Sequence, residues 1–287
     1  MKVVIIGNTG FIGHSIYNYL DKTKEYDLIG IPKNEIDLSG ENSSIALSKY
    51  LTANSIVVMC AGVKKQLGDN LDTFERNSAI INNFCRAIPL VSPKKIIFFS
   101  SAAVYGEDVD YDEKINEKTP VQPKTYYGIA KYTAERLLEK ICTENQTELV
   151  ILRPPLIYGK NDLSRGYGPT GFTYKAIASD EIILWGDGSE FREFVFVDDV
   201  SRVVQRLLNN NFSGILNIVS GRSYTFREIV DLLINISKSD INIRLRQRSK
   251  EKVNHHYSNG LFKRVMTDFQ FTQLDDGLTK MYKSIGS

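Results

Sequence analysis

The sequence predicts an α/β fold, a doubly wound parallel sheet followed by a smaller α/β lobe, from three observations. Short apolar runs alternate with longer amphipathic stretches through the first two-thirds of the chain. The runs are not period-2, which suits strands buried on both faces. A glycine-rich turn follows the first run directly and opens the first amphipathic stretch. Alternation of this kind implies parallel strands joined by crossover helices.

In chain order the strands are read at Val3–Ile6, Leu28–Ile31, Ser55–Cys60, Lys95–Ser100 and Leu149–Leu152, each rich in Val, Ile, Leu or Phe. Helices are expected at 11–21, 43–52, 70–87 and 126–144. The last sets Ile129, Tyr132, Ala134, Leu137, Leu138 and Ile141 at three- and four-residue spacings, so one side is buried. After Leu152 the character changes, and 153–192 reads as loop with short elements because of its Pro and Gly breaks. A strand at Phe194–Val197, a helix at Asp198–Leu208 with an acidic N-cap, a strand at Leu216–Val219 and a helix at Ser223–Ile236 follow. The tail from 240 is mixed and is basic around Arg244–Lys252. The expected division is a first domain of 1–155 completed by 194–220, with 156–193 and 221–287 forming the second lobe.

Composition excludes several classes. The 287 residues are 42% hydrophobic and 24% charged, a globular balance, and the net charge of +2 is too small to argue for nucleic acid or a membrane as partner. No run of about 18 uncharged apolar residues occurs, so no membrane span is expected. The apolar stretch before Gly7 is too short for a secretion signal. Cys60, Cys85 and Cys142 are scattered, with neither disulfide nor metal spacing, which suits a reducing cytoplasm and no metal.

Gly7-Asn8-Thr9-Gly10-Phe11-Ile12-Gly13 lies at the first strand–helix junction. Glycines there let the backbone turn tightly and approach a pyrophosphate at a helix N-terminus. The GxxGxxG spacing is one residue longer at its first gap than the common dinucleotide fingerprint. An acid near the end of the second strand would bind a ribose 2′-hydroxyl. Asp27 has the right count but starts that strand. Its exit, Ile31-Pro32-Lys33-Asn34, carries no carboxylate and one lysine, so Lys33 favours NADP(H), with NAD(H) left open.

Tyr127 and Lys131 stand four apart, on one helix face. A free tyrosine titrates near about 10, and a neighbouring ammonium is expected to lower that value, giving a proton donor or acceptor for alcohol–ketone interconversion. Ser101, just beyond the Lys95–Ser100 strand, lies at the carboxyl edge where such sheets bind ligands and can bond the same substrate oxygen.

Together with Ser100-Ser101-Ala102-Ala103-Val104-Tyr105-Gly106, Tyr127-Gly128-Ile129-Ala130-Lys131, Leu152-Arg153-Pro154-Pro155, Trp185-Gly186-Asp187-Gly188, Arg192-Glu193-Phe194-Val195-Phe196-Val197-Asp198-Asp199-Val200 and Asn217-Ile218-Val219-Ser220-Gly221, the glycine loop resembles the extended short-chain dehydrogenases/reductases. These are the nucleotide-sugar epimerases, dehydratases and reductases, built on a Rossmann sheet, and the resemblance covers nearly the whole chain. It implies that Ser101, Tyr127 and Lys131 form the catalytic triad, with Lys131 also touching the nicotinamide ribose. It further implies cofactor contacts from Gly7, Thr9, Gly10, Phe11, Ile12 and Gly13, from Asp37-Leu38 at the adenine, from Ala61-Gly62-Val63-Lys64 near the phosphates, and from Asn77 and Pro154. Arg192 matches an arginine gripping a substrate diphosphate, and Arg246 or Arg248 is a candidate second contact.

The family's 4,6-dehydratases carry an Asp-Glu pair where this chain has Ala102 and Ala103, which argues against dehydration. No Cys-Lys or His-Lys pair for C3/C5 epimerisation stands out, and His14, His255 and His256 lie outside the motifs. Two enzyme readings remain: an NADPH-dependent 4-ketosugar reductase of the deoxysugar type, which is favoured, and a 4-epimerase with tightly bound NAD⁺. A non-catalytic relative that senses cofactor or binds RNA is the alternative of another class, and the presence of both Tyr127 and Lys131 speaks against it. The family habit implies a homodimer through the 70–87 and 126–144 helices, with Ile80, Ile81, Phe84, Leu137, Leu138 and Ile141 at the contact or in the core.

Overall fold

A computed structural model describes residues 1–162, 165–238 and 240–286 of the chain. It divides into two compact units. The first comprises Met1–Glu107, Thr119–Pro154 and Val200–Asn217; the second comprises Asp108–Lys118, Pro155–Asp199 and Ile218–Ser287. This differs from the expected division at 108–118, 155, 194–199 and 218–220, all of which fall in the second unit. Phe194–Phe196 pairs in parallel with Leu156–Tyr158, so that segment belongs to the second unit. The 108–118 stretch joins it too: the Ile115 N–H donates to the His256 carbonyl at 2.8 Å and the Ser258 N–H to the Ile115 carbonyl at 2.8 Å.

In the first unit the elements run β1 (Lys2–Ile6), α1 (Phe11–Thr23), β2 (Asp27–Ile31), α2 (Ser43–Ser48), β3 (Ile56–Met59), α3 (Leu71–Val91), β4 (Lys95–Phe99), α4 (Tyr126–Glu144) and β5 (Glu148–Arg153). A sixth strand, Gly214–Asn217, pairs in parallel with β5. The sheet order is sixth strand–β5–β4–β3–β1–β2, every pairing parallel. Chain order reverses at β1, and a ligand crevice opens beyond the carboxyl ends of the strands at such a switch point. Val4, Ile6, Val57, Met59, Ile96, Phe98 and Ile151 share one buried cluster with Ile80, Ile81, Phe84, Ile88 and Leu138. Ile80, Ile81, Phe84 and Leu138 are thus core of their own chain, which removes them from the expected dimer contact. The exposed apolar side chains of these two helices are instead Leu71, Leu90, Tyr126 and Ile129.

Helix ends depart from expectation for identifiable reasons. α2 stops at Ser48 because the next amides close three-residue turns, Tyr50 N–H to the Leu47 carbonyl and Leu51 N–H to the Ser48 carbonyl. The Ser55 hydroxyl also takes the Thr52 N–H at 2.9 Å, a local bond that competes with helix. α3 runs on past 87 through Pro89, whose missing N–H removes a single bond within its last turn. Asn70 and Thr73 cap its start reciprocally.

The second unit is built from two parallel strand pairs, Leu156–Tyr158 with Phe194–Phe196 and Ile182–Trp185 with Ile243–Arg246, and one antiparallel pair, Phe191–Arg192 with Tyr224–Thr225. Helices Pro169–Ala178, Phe226–Ser237 and Leu274–Gly286 bury Phe172, Ile229, Leu233, Leu278 and Met281 against Tyr158 and Leu184. The first of these helices lies in the stretch read as loop. The strand expected at Leu216–Val219 is set two residues earlier, and the helix expected from Asp198 begins at Val197. Asp199 accepts from Thr272 N–H at 2.7 Å and its hydroxyl at 2.9 Å, so it ties down a loop. Among the described residues no helix is long and apolar enough to cross a membrane, and no group of metal-ligating side chains occurs.

One buried acid makes stability depend on pH. Glu193 is buried beneath the 220–221 turn and accepts both the Ser220 and Gly221 amides, yet burial still pushes its carboxyl up to about 7. Because the folded value lies above the unfolded one, the folded state holds the proton more tightly. Its contribution to stability is therefore full below about pH 4.5 and lost as pH rises through about 7, a swing on the order of 3 kcal/mol. Thermal unfolding at pH 5 and pH 8 should show a smaller loss at high pH in Glu193→Gln than in the parent. Equal losses in the two proteins would refute this.

Candidate active site

The glycine loop turns because Gly7 takes φ +82°, its N–H bonding the Ile31 carbonyl at 2.9 Å. A Cβ on Gly13 would lie 2.3 Å from the Gly7 carbonyl oxygen, so α1 approaches β1 as closely as it does only with hydrogen at that position. Gly10 caps α1 without any side-chain bond, and the first turn carries no acid, so the helix presents its N-terminal end and positive dipole to the loop.

Beyond the loop lies a cleft of about 320 Å³ lined by Gly7, Thr9, Gly10, Lys33, Asp37, Leu38, Ala61 and Gly62 among the expected residues. Cys60, Val63 and Arg76 line it as well. Phe11, Ile12, Gly13, Lys64, Asn77 and Pro154 are not among the residues that line it. The Lys64 ammonium lies 4.9 Å from the Phe11 ring centroid. Asn77 accepts the Val63 N–H at 2.8 Å and donates to its carbonyl at 3.1 Å, which fixes the loop after β3. Pro154 gives its carbonyl to the Ala102 N–H at 2.9 Å. The tight glycine turn, the helix start without a side-chain cap and the mostly apolar wall of the cleft fit a dinucleotide.

Beyond the exit of β2 the cleft holds both Lys33 and Asp37, the two residues expected there. Asp37 lies in the same cleft as Lys33, their charged atoms 3.5 Å apart, with the Arg76 guanidinium 3.9 Å from the same carboxylate oxygen. The Ser39 hydroxyl and amide, aided by Lys33, hold the Asp37 carboxyl below its usual range. A carboxylate is therefore present, opposed by two cations. Arg76 went unnoticed because nothing in its sequence neighbourhood marks it; only folding α3 against the 33–38 segment brings it there.

Ser101, Tyr127 and Lys131 come together at the carboxyl edge of β4. Ser101 caps the short turn Ala102–Tyr105, its hydroxyl accepting the Ala103 N–H at 3.1 Å. Thr125 caps α4 through the Gly128 N–H at 3.0 Å, and Asp69 accepts the Tyr127 N–H at 3.0 Å. A Cβ on Gly128 would meet the Ala103 carbonyl at 2.8 Å, so a glycine there lets α4 close on the serine turn. The Lys131 ammonium donates to the Phe99 carbonyl at 2.7 Å and lies 5.8 Å from the Tyr127 ring centroid. It also lies 3.5 Å from where a Cβ on Gly62 would be, so the reacting centre adjoins the cleft wall.

The acidity of this pair departs from expectation. Burial pushes the Tyr127 phenol up to about 12; a Ser101 hydrogen bond opposes the rise and Glu107 adds to it. Burial lowers Lys131 to about 8, with Cys60 and Glu135 opposing. Desolvation is the largest influence on both groups, so the spacing of the pair does not by itself set the acidity of the phenol. Tyr127 is accordingly a protonated donor at neutral pH.

In the second unit, Arg192 donates to Glu190 and to the Phe191 carbonyl at 2.8 Å, and Arg248 donates to the other Glu190 oxygen at 2.9 Å. Glu190 thus draws the two guanidinium groups together. Arg246 is exposed and stacks 4.6 Å from the Trp185 centroid, apart from that cluster.

The sequence matches the family described as "NAD dependent epimerase/dehydratase family" over residues 3–219. It is 23% identical over 293 residues to GDP-6-deoxy-D-talose 4-dehydrogenase of Aggregatibacter actinomycetemcomitans, covering 99% of this chain and 98% of the relative. The fold is similar to that of the protein termed RMD from Pseudomonas aeruginosa, complexed with NADPH, at TM-score 0.88 and 20% identity over 99% and 98% of the two chains. It is also similar to UDP-glucuronic acid 4-epimerase from Bacillus cereus in complex with UDP-glucuronic acid and NAD, at TM-score 0.86 and 19% identity over 99% of each chain.

Proposed function

The chain belongs to the NAD dependent epimerase/dehydratase family, a nucleotide-sugar enzyme of the NAD(P)-dependent type, and from that premise we propose that it reduces the C4 keto group of a nucleoside-diphosphate deoxysugar with NADPH. The observation that carries this reading is the charge of the cleft: Lys33 and Arg76 oppose the single acid Asp37, an excess of positive charge that suits a 2′-phosphate. The 4-dehydrogenase relative and the NADPH-bound neighbour agree with it.

Gly7, Thr9, Gly10, Phe11, Ile12 and Gly13 would cradle the pyrophosphate, Asp37, Leu38 and Lys33 the adenosine, and Ala61, Gly62, Lys64, Asn77 and Pro154 the remainder. Bound there, the nicotinamide supplies the hydride. Tyr127 delivers its phenolic proton to the C4 oxygen as that oxygen becomes a hydroxyl, and Ser101 bonds the same oxygen. Lys131 stabilises the phenolate left behind, which then regains a proton from water. A proton donor at rest is the state a ketone reductase needs. Arg192 and Arg248, sharing Glu190, are the proposed diphosphate contacts, with Arg246 at a separate surface. The two-fold homodimer belongs to the same reading, with Leu71, Leu90, Tyr126 and Ile129 as its surface.

Lys33→Ala and Arg76→Ala are each expected to weaken NADPH binding about tenfold or more, the worth of a charge-assisted bond, while NADH binding stays within about twofold. Fluorescence titration with both dinucleotides decides it; equal losses for the two would remove the 2′-phosphate assignment. The 4-epimerase with retained NAD⁺ is the second reading, favoured by the UDP-glucuronic acid 4-epimerase neighbour.

A further inference from the structure

A chain of buried polar groups lies immediately behind the reacting centre, and the proposed chemistry uses none of it. The Glu135 carboxylate takes a two-pronged bond from Arg153, from Nε at 2.9 Å and from Nη2 at 2.5 Å, and accepts the Ser100 hydroxyl as well. The remaining Arg153 nitrogen, Nη1, donates to the Tyr105 oxygen at 3.0 Å, and the Tyr105 hydroxyl donates to Asn217 Oδ1 at 2.9 Å. All five side chains are buried.

Each member adjoins a residue of the site. Ser100 precedes Ser101, and Tyr105 closes the turn that Ser101 caps. Glu135 lies one helical turn beyond Lys131 on α4, and Arg153 precedes Pro154, whose carbonyl holds Ala102. The network therefore joins α4 to the ends of β4, β5 and the sixth strand at the level where Lys131 rests on the Phe99 carbonyl. Stability alone does not call for such a pair, since well-packed apolar residues replace a buried ion pair at no loss in many proteins. What a two-pronged charged clamp adds is a fixed distance and rotation.

We infer that Glu135, clamped by Arg153, is a positioning residue for Lys131 and Ser101, holding the ammonium on the Phe99 carbonyl and presenting one buried negative charge behind it. This rests on reading Lys131 as part of the reacting centre. The groups facing Lys131 are Cys60 from the end of β3, and Tyr127 and Glu135 from α4; Glu107 acts on Tyr127.

The test is the titration of Lys131 in the full chain, read by trace acetylation with acetic anhydride from pH 6 to pH 10 and mass analysis of the Lys131 peptide. The parent midpoint is expected near 8, and Glu135→Gln should move it lower by roughly one pH unit. If the single variant does not fold, the double variant Glu135→Gln, Arg153→Met, which leaves no buried charge unpaired, should move the midpoint in the same downward direction by a smaller amount, because the Arg153 charge leaves together with that of Glu135. A midpoint equal to the parent's in a folded variant overturns the proposal. Loss of the fold in both variants also overturns it, because the pair would then be a stability element. No sugar substrate enters the measurement, so its result is separate from that of the reductase assignment.

Discussion

Tyr127→Phe is expected to lower turnover by about 10²–10⁴-fold, the usual worth of a positioned proton donor, while NADPH affinity and thermal stability stay close to the parent's. The phenol hydroxyl is the proposed proton source, held protonated by burial and hydrogen-bonded by Ser101. Phenylalanine keeps the ring and the packing, and the Asp69 bond is unaffected because it is made to the Tyr127 backbone. Loss of turnover without loss of binding is the pattern of a group acting in the chemical step. Turnover within threefold of the parent would mean that the proton comes from elsewhere, and would revive the non-catalytic reading of the fold.

Gly13→Ala is expected to abolish dinucleotide binding, or to weaken it by about 100-fold. The added Cβ would lie 2.3 Å from the Gly7 carbonyl oxygen and 2.9 Å from its carbon, both backbone atoms that no side-chain rotation can move aside. The loop must shift away from the helix, and displacements of about 1 Å at a binding centre cost on that scale. Overpacking adds about 1–3 kcal/mol of destabilisation. Titration with NADPH beside a thermal melt separates the two effects; an unchanged affinity in a folded protein would show that the loop is not the phosphate cradle.

The features legible from sequence were those written in local spacing. β1, its glycine loop and α1 could be placed because the junction follows directly on four apolar residues, and Tyr127 and Lys131 could be paired because they are four apart on one helix. Helix ends were less legible: side-chain bonds at Thr52 and Ser55 shortened α2, and core burial of Ile88 carried α3 through Pro89. The Pro169–Ala178 helix was hidden by the glycines before it, although Pro169 after Gly168 is a start signal. The helix Leu274–Gly286 was missed despite Leu274, Leu278 and Met281 at helical spacing.

The chemistry of the site depended on what folding brings together. Asp37, Lys33 and Arg76 form a cluster only once α3 packs beside the segment after β2. The phenol's acidity could not be judged from its distance to Lys131 along the helix, since burial dominates both groups. Arg192 was read from its motif as a diphosphate contact; its pairing with Glu190, which Arg248 shares, could not be read from that motif.

The central claim is tested most directly by following deuterium. NADPH labelled at nicotinamide C4 is incubated with the purified protein and a nucleoside-diphosphate 4-keto-6-deoxysugar, and the sugar is analysed by mass and proton spectra. The account predicts label at sugar C4 with one NADPH consumed for each sugar reduced. No consumption of NADPH, together with interconversion of C4-hydroxyl epimers by a nicotinamide that remains with the protein through purification, would contradict the reductase and make the protein a 4-epimerase.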